Sequence, residues 1–253
     1  MNLFIFICQQ TLIFLVPLLL VGLGDLFSER SGVLNIALEG IMVFGAFAGI
    51  MFIRSASAGM PSWLVLLIAI LISVLAGMLL SALHAFAAIH LKAEQTISST
   101  AIITFATAFC IFYARVMLGT EQVVFRNTFR IDAVPLLSKI PVLGPILFQK
   151  AYVTTYLGIL VLIVTAFILK RTRFGLRLRS CGENPQAADS VGISVYKMRY
   201  SGVLISGALA GLGGLVFILP TTTTYTASVS GYGFLAMSVV VFGRWKPSGI
   251  CLG

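Results

Sequence analysis

Ser62 to Leu83 reads SWLVLLIAILISVLAGMLLSAL, twenty-two residues without one charge. A helix rising about 1.5 Å per residue needs about 20 apolar residues to cross a hydrocarbon layer about 30 Å thick. This stretch is long enough, and its three serines are small enough to be absorbed. Runs of similar character recur at 3–24, 33–53, 96–118, 151–169, 200–219 and, with its flanks, 233–243. In lipid every backbone N–H and C=O must be satisfied within the segment, which leaves helices and closed barrels. The runs are too long and too evenly apolar for barrel strands, which alternate over about ten residues. The expectation is an all-α, polytopic transmembrane bundle of about seven spans, with broken or re-entrant segments.

The composition agrees. Apolar residues make up 59% of 253 positions and charged residues 10%, and the mean hydropathy is +1.05. Soluble domains carry about 25% charged residues, so lipid must cover much of this surface. The net charge of +9 could suggest nucleic acid, but its distribution excludes that reading. Lys170, Arg171, Arg173, Arg177, Arg179, Lys197 and Arg199 all fall between two hydrophobic runs. That concentration marks a cytoplasmic loop at 170–199 under the positive-inside rule. Residues 119–150, with Pro135, Pro141 and Pro145, then lie outside, 84–95 inside, and the N-terminus outside if every run crosses once. The N-terminal run has no charged leader and no cleavage site, so it reads as a retained span.

Cys8, Cys110, Cys181 and Cys251 show no paired spacing, and neither a disulfide framework nor a metal site follows. There is no phosphate loop and no His-Glu-x-x-His, so no cofactor is expected and driving energy must come from a gradient or another subunit. Gly45 and Gly49, and Gly207 and Gly211 with Ser206, Ala210 and Gly214, form small-residue faces suited to close helix packing. Arg244-Trp245-Lys246-Pro247 has the look of a membrane interface, with a proline fit to open a helix. Only six residues follow it, so the expected single permease domain, 1–253, is read as shortened at its C-terminus.

Four places could carry function. In Gly24–Gly40, Glu39 is the costly residue, since a charge near mid-bilayer costs about 2.5–3.5 kcal/mol. Asn35, four residues earlier, would share its helix face and could hydrogen-bond to it. Both read equally as the wall of a permeation path or as a bonded interfacial loop. Asp25, Glu29 and Arg30 read as a solvated turn. The second place is Pro220 with Thr221, Thr222, Thr223 and Tyr225, followed by Gly231, Gly233 and Phe234. It is either a broken helix lining a cavity or an external loop. The third is the stripe Thr96, Thr100, Thr104 and Thr107, read first as glue between helices. The fourth is Cys181–Ile193, where Asn184 before Pro185 announces a capped short helix closing near Gly192. That helix is a docking surface or an inert connector. His84 and His90 lack a carboxylate partner at useful spacing and read as structural.

Three blocks then carry a resemblance: LFSERSGVLNIALEGIMVFGAF (26–47), RFGLRLRSCGENPQAADSVGISVYKMRYSGVLISGALAGLGG (173–214) and GYGFLAMSVVVFGRWKPSG (231–249). They resemble ABC-importer permeases of the simple-sugar and nucleoside (branched-chain-amino-acid and ribose-like) type, nearest the nucleoside branch. The resemblance implies a bacterial inner-membrane permease, not itself an enzyme, that works by alternating access. Its partners would be a cytoplasmic ATPase, a second permease subunit and an extracytoplasmic substrate-binding lipoprotein. The 31–40 and 220–233 segments would line the gap between subunits. A coupling helix would run from Gly182 to Gly192, with Glu183, Asn184, Pro185, Ala187 and Ala188 at the ATPase contact. The pattern departs at Tyr232, where a basic residue is expected. Two further readings stand beside this one: a gradient-driven secondary transporter using Glu39, and a non-transporting membrane scaffold.

Overall fold

The structure is a computed structural model and describes residues 2–56, 59–125, 129–133 and 149–251. The prolines at 135, 141 and 145 fall outside the described residues. Six helices are long and apolar enough to cross a membrane by length and composition. They are α1 (Asn2–Arg30), α2 (Leu38–Ser55), α3 (Ser62–Ala85, prolonged by a π-helical turn Phe86–His90), α4 (Gln95–Leu118), α5 (Val153–Arg171) and α8 (Val195–Thr221). Between α5 and α8 lie two shorter helices, α6 (Arg173–Glu183) and α7 (Pro185–Ser190). After α8 come α9 (Tyr232–Phe242) and α10 (Pro247–Ile250). Four short strands complete the described residues: β1 (Val123–Val124), β2 (Arg130–Ala133), β3 (Gln149–Tyr152) and β4 (Thr224–Tyr225). β1 pairs antiparallel with β4, and β2 with β3.

α8 is the central pillar, packed against α1, α2 and α3. The reason is in its sequence. Its unbroken buried stretch from Ala210 to Leu219 includes Gly211, Gly213 and Gly214, which let neighbouring backbones come to contact distance. A Cβ on Gly45 would overlap Gly211, and one on Gly77 would overlap the Gly207 carbonyl. Ser73 locks the three-helix junction, its hydroxyl shared between the carbonyls of Gly45 at 2.8 Å and Gly211 at 2.7 Å. Ser81 does the same lower down, donating to the Val203 carbonyl. The small-residue faces therefore act as packing seams.

The first connection differs from expectation. The helix does not end near Gly24 but runs on to Arg30, because Gly24 packs directly on α8, 2.9 Å from the Leu209 Cβ for an added methyl. Asp25 is thus not in a solvated turn: it is fully buried, and its carboxylate oxygens have no hydrogen-bond partner among the described residues. The chain breaks only at Gly32, with φ +87°, and turns back into the bundle. Its last turn is fastened by Ser31 donating to the Ser28 carbonyl and Ser28 to the Val33 carbonyl.

The faces of the bundle can be told apart. The C-terminal end of α1, the π-turn of α3, the start of α4, and α6 and α7 gather at one end with the cluster of arginines and lysines. His84 and His90 both lie at this end. His90 contacts Tyr200 at 2.6 Å and stacks on Phe86. At the opposite end Arg54 donates to the Val124 carbonyl, and the β1–β4 pair caps the outer end of α8.

Gly211→Ala tests the pillar: the added methyl meets the Ser73 carbonyl, and overpacking of this kind destabilises by about 1–3 kcal/mol. A lowered thermal midpoint in detergent is expected, whereas Gly59→Ala, with nothing within 4 Å of the new methyl, should leave it unchanged.

Candidate functional site: two re-entrant segments and a capped helix

A polar contact joins two interrupted segments. α9 starts inside the bundle, and the N-terminus of any helix leaves backbone N–H groups without partners. Glu39, at the start of α2, answers them: Oε1 accepts from Gly231 N at 2.9 Å and Oε2 from Gly233 N at 2.7 Å. The helix dipole adds to the attraction for a carboxylate. Gly231 takes φ +81°, and a Cβ on Gly233 would overlap the Glu39 backbone. Both glycines are therefore required for the carboxylate to come this close. Adjacent Gly40 packs on Ile103, 2.7 Å from its Cα for an added methyl, eight residues and so about 12 Å along α4. The contact thus lies within the apolar layer.

Asn35 does not share a helix face with Glu39, and the two do not bond. α2 begins only at Leu38, because residues 33–37 are held as a non-helical strap. Its backbone is satisfied by neighbours: Leu34 N donates to Gln95 Oε1 at 2.9 Å, and the Leu34 carbonyl accepts from His84 Nε2 at 3.0 Å. A carbonyl can only accept, so the proton is on Nε2 and Nδ1 accepts from Ser98 Oγ at 3.2 Å. Asn35 is fully buried and donates to Ser206 Oγ on α8 at 3.0 Å. Non-helical backbone at this depth is tolerated only with such internal partners.

The second interrupted segment descends from the end of α8. Thr221 closes the helix by donating to the Phe217 carbonyl at 2.6 Å. Thr222 donates to the Thr224 carbonyl, and Thr223 accepts from Phe125 N at 3.1 Å. Tyr225 is buried, its hydroxyl donating to the Val43 carbonyl at 2.7 Å. It anchors the segment to α2 and faces packed side chains. Tyr232 lies against Phe217 with ring centroids 4.2 Å apart, so an apolar stack occupies the position where a basic residue was expected. Phe234, 47% exposed, projects from the first turn of α9.

Of the candidates, Glu39, Gly231 and Gly233 thus meet, while Phe234 is exposed on α9. Thr221, Thr222 and Thr223 stand at the outer end of the bundle, and Asn35 and Tyr225 are packed away. The threonine stripe is not glue within this chain. Thr100 and Thr104 donate to carbonyls one turn back on their own helix, at 2.8 and 3.0 Å, and face outward beside Ile97, Ala101 and Phe105. Among the described residues their helix has no neighbour there.

At the basic end, the short helix forms as its sequence implied. Asn184 Oδ1 accepts from Ala187 N at 3.0 Å, Pro185 opens α7, and Gly192 ends it with φ +81°. Ala188 is buried against the bundle, while Glu183, Asn184, Ala187 and Gly192 are exposed and Gly182 and Pro185 half-buried. A groove of about 710 Å³ runs between α6 and α7, with Leu176 and Val191 as apolar walls and Arg173, Arg177 and Glu183 at its rim. In α6, burial pushes the Cys181 thiol up, partly opposed by nearby Arg199.

One cluster had no signal in the sequence. Trp245, read as a lipid anchor, instead donates its indole N–H to Glu29, and its carbonyl accepts from Arg30. Two hundred residues separate the partners, and nothing local marks the pairing.

The chain matches the family of branched-chain amino acid transport system permease components over residues 7–253. It is 45% identical over 249 residues to the guanosine ABC transporter permease protein NupQ of Bacillus subtilis, covering 96% of this chain and 76% of that protein. It is 40% identical to the nucleoside ABC transporter permease protein NupC of Lactococcus lactis, covering 97% and 78%. The putative glucose ABC transporter permease protein TsgC13 of Haloferax volcanii is 35% identical, covering 93% and 70%. No solved structure matches the chain. A helical bundle with interrupted spans and likeness along nearly its whole length to these transport proteins leave one assignment: the chain belongs to the branched-chain amino acid transport system permease family and is a multi-pass permease subunit of an ABC importer in the bacterial inner membrane.

Proposed function

We propose that the chain imports nucleosides, guanosine-like purines among them, as the membrane half of an assembly driven by a separate cytoplasmic ATPase. The observation that carries the ATPase contact is α7: a capped helix at the basic end with Gln186, Ala187 and Asp189 exposed and a groove beside it. A short exposed helix fixed by its Asn184 cap and by buried Ala188 suits docking. On this reading the basic end is cytoplasmic, and Glu183, Asn184, Pro185 and Ala187 meet the ATPase. Movement of α7 then shifts the bundle between inward- and outward-facing states, because a ligand biases such an equilibrium only by differential affinity. An extracytoplasmic substrate-binding lipoprotein would deliver the nucleoside at the end carrying the β1–β4 pair.

The path runs past the Glu39-held start of α9 and its exposed Phe234, and a second permease subunit closes it. Aromatic rings offer a stacking face for a purine base, and Phe234 is placed to give one. Glu39 in this reading is the clamp that shapes the path. Both its oxygens are already engaged by backbone donors, which does not suit the proton-coupled carboxylate of a secondary transporter. The nucleoside specificity follows the names of the relatives at 45% and 40% identity.

Purification in mild detergent with the cognate ATPase is the direct test. The wild-type chain is expected to retain it, and replacement of Glu183-Asn184-Pro185 by glycines to release it. Retention by the glycine variant would overturn the assignment of α7. A lone cysteine replacing Gln186 should react with an impermeant maleimide only in inverted vesicles; labelling of intact cells would invert the topology. Glu39→Ala removes two charge-assisted bonds, each worth about 1.5–3 kcal/mol, and should reduce guanosine uptake at least tenfold. Uptake should persist with an ionophore while ATP is held high, and its collapse would favour gradient coupling.

A further inference from the structure

Arg30 ends α1 and holds two structures at once. Its Nε and Nη2 donate to the Trp245 carbonyl at 3.3 and 2.8 Å, and its Nη1 lies 3.8 Å from Glu183 Oε1. Trp245 follows α9, and Glu183 is the last residue of α6, directly before the Asn184 cap of α7. The ion pair is the weaker grip, since the Glu183 side chain is 76% exposed and exposed pairs contribute little. Backbone packing supplies the firmer one. A Cβ on Gly182 would overlap the Arg30 carbonyl and stand 3.2 Å from Gly32 N. The α6–α7 junction therefore rests on the last turn of α1 with no side chain between them.

The grip on the other side is on a strained turn. Arg244 and Trp245 have φ +54° and +53°, a region that bulky residues rarely occupy without support. The two donors from Arg30 and the indole N–H donated to Glu29 supply that support. Trp245 N donates in turn to the Val240 carbonyl, fastening the turn to the end of α9. The far end of α9 is fastened by Glu39. One short helix thus runs, held at both ends, from the turn that Arg30 grips to the Glu39 carboxylate.

We infer that Arg30 is a positioning residue that ties α9 to the coupling helix, so that displacement of α7 is delivered along α9 to its Glu39-held N-terminus. The inference rests on the importer reading and adds the route within it. A contiguous chain of rigid elements and engaged donors is the physical requirement for such transmission. Without the guanidinium, α7 could move while the turn at Trp245 relaxes in place, and hydrolysis would continue without transport.

The test uses the complete transporter in proteoliposomes, with guanosine uptake and ATP hydrolysis measured together. Arg30→Ala is expected to keep the ATPase bound and hydrolysis within about twofold while uptake per ATP falls about tenfold, within the usual range of coupling free energies. Arg30→Lys, which keeps the charge but not the forked donors, should recover only part of the ratio. Trp245→Phe, which keeps a ring but loses the indole donor, should lower it more mildly. The double variant Arg30→Ala with Trp245→Phe should be no worse than Arg30→Ala alone, as expected for two members of one chain. Unchanged uptake per ATP in both Arg30→Lys and Trp245→Phe would overturn the route even if Arg30→Ala failed to assemble. A wild-type chain that retained no ATPase would instead remove the importer assembly on which the route depends.

Discussion

The bond between Glu39 and the N-terminus of α9 is the constraint around which the rest is arranged. A helix that begins inside a bilayer exposes N–H groups that lipid cannot satisfy. Here a carboxylate from another interrupted span takes them, and each partner resolves the other's difficulty. The charge gains donors, and the helix gains a cap. Gly40 must then be small for α2 to lie against α4, and Gly231 and Gly233 must lack side chains for α9 to reach the carboxylate. Leu34 and Asn35 must be bonded by Gln95, His84 and Ser206, since the strap entering α2 has no helix of its own. The two breaks in the bundle are therefore one structure, with each holding the other at depth.

The long helices were legible because their signal is dense: runs of about 20 apolar residues have few alternatives. The short α7 was legible for the opposite reason, since Asn184, Pro185 and Gly192 are punctuation with fixed positional meaning. Glycine spacing marked the seams on α2 and α8, and the structure brings Gly45 against Gly211. What could not be read was partnership across distance. Asn35 and Glu39 have the spacing of a bonded pair on a helix, yet the helix starts after Asn35, and each finds its partner about 170 or more residues away. Asp25 looked solvated because its neighbours are charged. Its burial depends on α1 continuing past Gly24, which the contact with Ser206 and Leu209 decides.

The threonines of α4 and the aromatic of α9 show how an open face should be weighed. Thr100 and Thr104 spend their donors on their own backbone, so their remaining acceptor capacity and their methyl groups face outward together. Such a surface suits neither lipid alone nor water alone. It suits a boundary that is apolar in one state and wet in another, which is the condition an alternating path imposes. On the proposed importer reading this face would border the path; membership of the permease family holds over residues 7–253.

The central place of α8 has a consequence for how the chain is made. α1, α2 and α3 are complete by residue 85, but the pillar they pack on does not begin until residue 195. At about 5–20 residues per second, the ribosome needs roughly 5 to 20 seconds to deliver those intervening 110 residues. During that interval Gly45, Gly77 and Ser73 present bare seams to lipid, and the Glu39 carboxylate has no helix end to cap. The early spans must wait in the membrane without their central partner, open to proteolytic surveillance, and the bundle closes only when α8 and then α9 arrive.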